Sequence, residues 1–152
     1  MVRAATAFTV AHSLTLVGTT LGLIGLAQAP VEALIALSIV FLAVEIVKQD
    51  PVAPRLSERI PWLVAFGFGL IHGFGFAGAL REIGLPEGDV PTALLSFNLG
   101  VEAGQLAIIA LSLSVLAAVR RFARPALRPA TLAASYAIGI TASFWFIQRL
   151  VG

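Results

Sequence analysis

The chain has no cysteine and little charge: of its 152 residues, 12% are Asp, Glu, Lys or Arg. Without thiols there are no disulfides, zinc ribbons, Fe–S clusters or thiol catalysis. A soluble domain of average composition is about 25% charged and about 45–50% apolar, so half the usual charge does not clothe a water-facing surface of this size. The net charge of +2 is too small for a phosphate-binding patch, which excludes a nucleic-acid partner. Lys and Arg are also missing from the interiors of the long apolar runs. What is abundant is hydrocarbon. Hydrophobic residues make up 59% and the mean hydropathy is +0.97, which leaves a polytopic membrane protein whose partner is the lipid bilayer.

Five apolar segments are predicted as transmembrane helices, at about residues 4–27, 31–47, 61–80, 91–119 and 129–150. A bilayer core of about 30 Å needs about 20 residues per helix. Four segments begin at or beside Pro30, Pro61, Pro91 or Pro129, where the missing N–H costs nothing. The runs are too long for strands and lack period-2 alternation. The fold class is therefore all-α, a membrane helix bundle of five transmembrane helices forming one domain over residues 1–152. The fourth segment, about 29 residues long, must tilt or extend past the bilayer. The first resembles a signal peptide in Arg3 and the Ala27-Gln28-Ala29 triplet. It exceeds the about 7–15 residues of a signal core and carries His12, so it reads as a retained helix.

Five spans put Arg3, Lys48, Arg55, Arg59, Arg120, Arg121, Arg124 and Arg128 on one side and Arg81 and Arg149 on the other. The basic-rich side is cytoplasmic. The N-terminus is then inside, and the acidic loop with Glu82, Glu87 and Asp89 faces out.

The ionisable residues within the runs are His12, Glu32, Glu45, His72 and Glu102. Each is costly in hydrocarbon. Acids and imidazoles without buried bases favour a bound cation or proton, since an anion site would want Arg or Lys. At about 1.5 Å per residue, His12 lies about 12 Å and His72 about 16 Å from the cytoplasmic ends of their helices, and Glu102 lies about 16 Å from the outer end of its own. The three can share one layer. Asn98, Glu102 and Gln105 are spaced i, i+4, i+7 and form one polar stripe. Bland readings stand beside these. Glu32 suits a helix N-terminus, Glu45 can pair with Lys48 at i, i+3, and a membrane histidine can be interhelical glue.

The third segment is rich in glycine: Gly67, Gly69, Gly73, Gly75 and Gly78 surround His72. Gly69 and Gly73 form a GxxxG pair that admits a neighbouring helix backbone. Phe8-Thr9-Val10-Ala11-His12 faintly echoes Phe68-Gly69-Leu70-Ile71-His72, and both enter from the cytoplasmic side, as in a parallel repeat.

These residues carry a resemblance. Ala7 to Leu16 is similar to the FTxAHSxTL motif of the HupE/UreJ family, and Val31 to Ile39 to its VExxIALSI segment. Phe66 to Leu80 resembles its FGFGLxHGxGFAxAL helix, and Phe97 to Leu106 its FNxGVExGQL helix. The motifs keep their order over nearly the whole chain, and the likeness is stronger to the subfamily with a large N-terminal extracytoplasmic region. The resemblance implies a multi-pass protein of the bacterial inner (cytoplasmic) membrane, a hydrogenase or urease accessory regarded as a nickel permease. The family pattern also has an earlier helix with an Asp-His pair. None occurs here, so the resemblance implies a fragment or a shortened member lacking two expected ligands.

Imidazole suits nickel, zinc and copper. His12, His72 and Glu102, supported by Asn98 and Gln105, form the expected site for a divalent metal ion, nickel or zinc. Transport or delivery of that ion is the first reading. The trio could instead relay protons or hold a catalytic zinc in a membrane-embedded hydrolase, although HExxH and GxSxG are absent. A non-catalytic assembly subunit, homo-oligomeric or bound to an accessory protein, is a further alternative.

Overall fold

The computed structural model describes residues 2–48, 54–84 and 89–151. Glu87, expected in the outer acidic loop, lies outside them. Among the described residues the secondary structure is entirely helical: α1 (Val2–Thr20), α2 (Gln28–Val47), α3 (Leu56–Arg59), α4 (Pro61–Ile83), α5 (Val90–Phe122), a 3-10 turn (Arg124–Ala126) and α6 (Leu127–Val151). By length and composition four helical stretches can cross a membrane: Gln28–Val47, Pro61–Ile83, Val90–Phe122 and Arg124–Val151. This differs from the five expected. The helix that falls short is α1, where Arg3, His12, Ser13 and five threonines dilute the apolar residues.

The first segment also ends earlier than expected, at Thr20 and not near Ala27. Gly22 adopts a left-handed backbone, φ 72°. The Leu23 amide bonds the Gly18 carbonyl at 2.9 Å and the Gly22 amide bonds the Thr19 carbonyl at 3.1 Å. This is a Schellman close, with glycine at the position where a Cβ is penalised. The C-terminal end of α1 is sealed further by Arg81, whose guanidinium donates to the Thr19 carbonyl at 2.7 Å. A cation there also suits the helix C-terminus.

Packing is built on α1 and α4, which run parallel. Gly69 abuts Phe8 and Ala11, and Gly73 abuts His12 and Thr15. The Thr15 hydroxyl donates to the Leu70 carbonyl at 2.9 Å. Helix α2 runs antiparallel to α4, and α6 antiparallel to α2. Gly139 of α6 meets Ala43, and Arg149 pairs with Glu32 at the other end of α2. Helix α5 is the least embedded. Leu94 is its buried residue, while Leu99, Leu106, Ile108 and Leu111 are exposed, as suits a face turned to lipid.

Glu45 does not pair with Lys48. Its carboxylate accepts from the Leu56 and Ser57 amides at 2.8 and 3.2 Å, satisfying the first turn of α3, where a negative charge suits the helix dipole. The same turn holds an Arg55–Glu58 pair. Hydrogen bonding from Arg55 keeps the Glu58 carboxyl below its usual range.

Candidate functional site

Parallel α1 and α4 bring the two histidines into one aromatic cluster. The Phe8 ring stacks on His12, centroids 6.1 Å apart, and meets His72 edge-on at 5.3 Å. Phe76 contacts the His12 ring edge-on at 4.9 Å, and Phe97 of α5 lies 6.4 Å from it. Glycine at 69 and 73 sets this geometry, since only a helix without Cβ atoms there lets the α1 backbone sit so close.

His12 is fully buried. Among the described residues no hydrogen bond reaches either of its ring nitrogens, although the Asn98 side chain stands alongside. That amide is engaged elsewhere as well. Its nitrogen donates to the Leu94 carbonyl at 3.0 Å, and its oxygen accepts from the Ser13 hydroxyl at 3.0 Å. His72 is half-buried. Its Nδ1 lies 2.8 Å from the Phe68 carbonyl. A carbonyl only accepts, so Nδ1 carries the proton and Nε2 keeps the lone pair that a metal or proton takes.

The α5 stripe divides. Asn98 joins His12. Gln105 meets α1 through the Thr9 hydroxyl, at 3.4 Å. Glu102 is exposed, and among the described residues its carboxylate makes no hydrogen bond or ion pair. It sits about 40° around the helix from Asn98, at about 100° per residue, and the thin α1–α5 contact does not wrap that far. Among the described residues no three His, Cys, Asp or Glu side chains gather closely enough to hold a metal ion. The donors that share this aromatic cluster are two imidazoles, with an amide beside the first.

Three polar groups outside the expected set, Glu32, Arg149 and Gln28, also meet at the N-terminal end of α2. Glu32 takes the Arg149 ion pair and accepts from Gln28 at 3.2 Å. Gln28 also donates to the Gly75 carbonyl at 3.2 Å. In the sequence Gln28 stands out only as part of the Ala27-Gln28-Ala29 triplet between two predicted segments, whereas α2 starts with it. Arg149 had no sequence signal, because its partner is distant in the chain.

A family model described as HupE / UreJ protein matches residues 1–149, which is nearly the entire chain. No curated protein and no solved structure matches.

Proposed function

This chain belongs to the HupE/UreJ family, associated with nickel transport for hydrogenase and urease, and on that premise we propose that it carries or delivers a divalent transition-metal cation, nickel first, across the bacterial inner membrane. The observation that supports this reading most is His12. A buried polar group without a hydrogen bond costs about 1–3 kcal/mol, so an unbonded imidazole beside a second imidazole with a free Nε2 reads as a pair of donors held ready for a ligand. Interhelical glue would be hydrogen-bonded. The proposed site is His12 and His72, with Asn98 beside the first. Gln105 steadies the α1–α5 approach, and Glu102 borders it from the edge of α5. A sparse donor set suits cargo that must leave again.

Metal analysis and nickel titration of purified protein test this. We expect binding in the wild type, and affinity lowered in His12→Ala and in His72→Ala by at least the about 10–100-fold that losing a mere outer-shell partner costs. Glu102→Gln should cost less than either. Equal losses in all three would place the carboxylate in the site, and no binding under any condition would favour the assembly-subunit alternative.

The same reading takes all five long helices through the membrane. Helix α1 has 19 residues, about 28 Å at 1.5 Å each, and lies parallel to α4 along its length. The basic bias then places α3 in the cytoplasm. Single-cysteine variants at Ser57 and Asp89 check the orientation, since impermeant reagents should reach Ser57→Cys from the cytoplasmic side and Asp89→Cys from the other. Labelling of Ser57→Cys from outside would invert it.

A further inference from the structure

Two cavities lie between α2 and α4, and one residue lines both. The outer cavity, about 250 Å3, is bordered by Gln28, Glu32, Gly75, Glu82 and His72. The inner one, about 360 Å3, is bordered by Phe8, Ser38, Ser57, Phe68 and His72. Along α4 the outer cavity reaches from His72 to Glu82, about 15 Å, and the inner from Pro61 to His72, about 16 Å, at 1.5 Å per residue. Stacked end to end they match the about 30 Å thickness of the hydrocarbon core, with His72 between them. Their linings differ in chemistry. The outer cavity carries two carboxylates and an amide, which attract and loosely hold a hard or borderline cation. The inner one carries hydroxyls, which hold it more weakly. The Gln28 side chain, bonded to both Glu32 and the Gly75 carbonyl, fixes the outer carboxylate across the groove.

We propose that a divalent cation crosses along the α2–α4 groove, received at Glu32 and Gln28, handed over at His72 and released past Ser38 and Ser57. This rests on the transport reading and names its route, which passes through the His72 half of the proposed His12–His72 site. At the outer end the cation meets a half-buried carboxylate already paired with Arg149, so entry at Glu32 exchanges one cation for another and leaves that carboxylate paired throughout.

The absence of cysteine permits a clean test in oriented vesicles with single-cysteine variants and a charged, impermeant thiol reagent. Ala79 borders the outer cavity and Ala65 the inner one, while Leu37 is exposed on α2 and lines neither. We expect Ala79→Cys to react from the outer side, Ala65→Cys from the cytoplasmic side and Leu37→Cys from neither. Nickel should slow the first two reactions, and completed modification of either should abolish nickel uptake. Reaction of Ala79→Cys and Ala65→Cys no faster than Leu37→Cys overturns the route, as does uptake that survives modification. Absence of nickel uptake in the unmodified protein would instead refute the transport reading itself, whatever the labelling pattern.

Discussion

Gly73→Ala is expected to unseat α1 from α4, whereas Gly67→Ala should leave the protein unchanged. A Cβ at Gly73 would run into the Thr15 hydroxyl and the His12 backbone carbonyl, and one at Gly69 into the Phe8 backbone and Ala11. Backbone cannot swing aside as a flexible side chain does, so the helices must part. Overpacking of this kind costs about 1–3 kcal/mol. Parting also stretches the Thr15 bond to the Leu70 carbonyl. Gly67 faces open space, so its methyl group meets no protein. Gly75 is an intermediate control, since its Cβ would meet the tip of Ile35, which can rotate away. Thermal unfolding in detergent should rank the variants with Gly73→Ala and Gly69→Ala least stable, Gly75→Ala close to wild type and Gly67→Ala indistinguishable from it. Equal stability of Gly73→Ala and Gly67→Ala would show that α1 does not seat in the glycine groove.

That groove was legible in the sequence as a GxxxG pair, because small residues at i and i+4 mark one helix face whatever lies opposite. Which helix fills it was not legible, since periodicity defines faces and not their partners. The apolar runs located the helices, and the departures have local causes. Hydropathy ran on past Thr20 because Leu21, Leu23, Ile24 and Leu26 are apolar, while the left-handed Gly22 had already closed the helix. Glu102 was grouped with Asn98 and Gln105 by spacing alone. Spacing allows about 40° of drift around a helix, and that drift leaves the carboxylate exposed once α5 contacts α1 so narrowly. Placing His12 and His72 at similar depth required only that their helices enter from the same side. The shared Phe8 contact needed the third dimension, as did the Glu32–Arg149 pair.

His12→Leu separates a ligand from a structural residue most sharply. The imidazole is wholly buried among Phe8, Phe76 and Phe97, with both ring nitrogens unbonded. Leucine removes the unsatisfied polar atoms and keeps comparable bulk. Its expected effect on folding is neutral to stabilising, up to the about 1–3 kcal/mol that an unbonded buried polar group costs. Nickel binding should fall with it, because Leu offers no donor atom and His72 alone supplies one imidazole. A histidine kept for packing makes the reverse forecast. His12→Leu would then destabilise the bundle, and His12→Gln, which retains an amide for hydrogen bonding, would restore it. Unfolding curves and nickel titrations on the same three preparations decide between them. A Leu variant that is stable yet blind to nickel supports a donor held in place at a cost in stability. A Leu variant that is unstable, rescued by Gln and equal to wild type in nickel affinity would remove His12 from the site and leave His72 as its remaining imidazole.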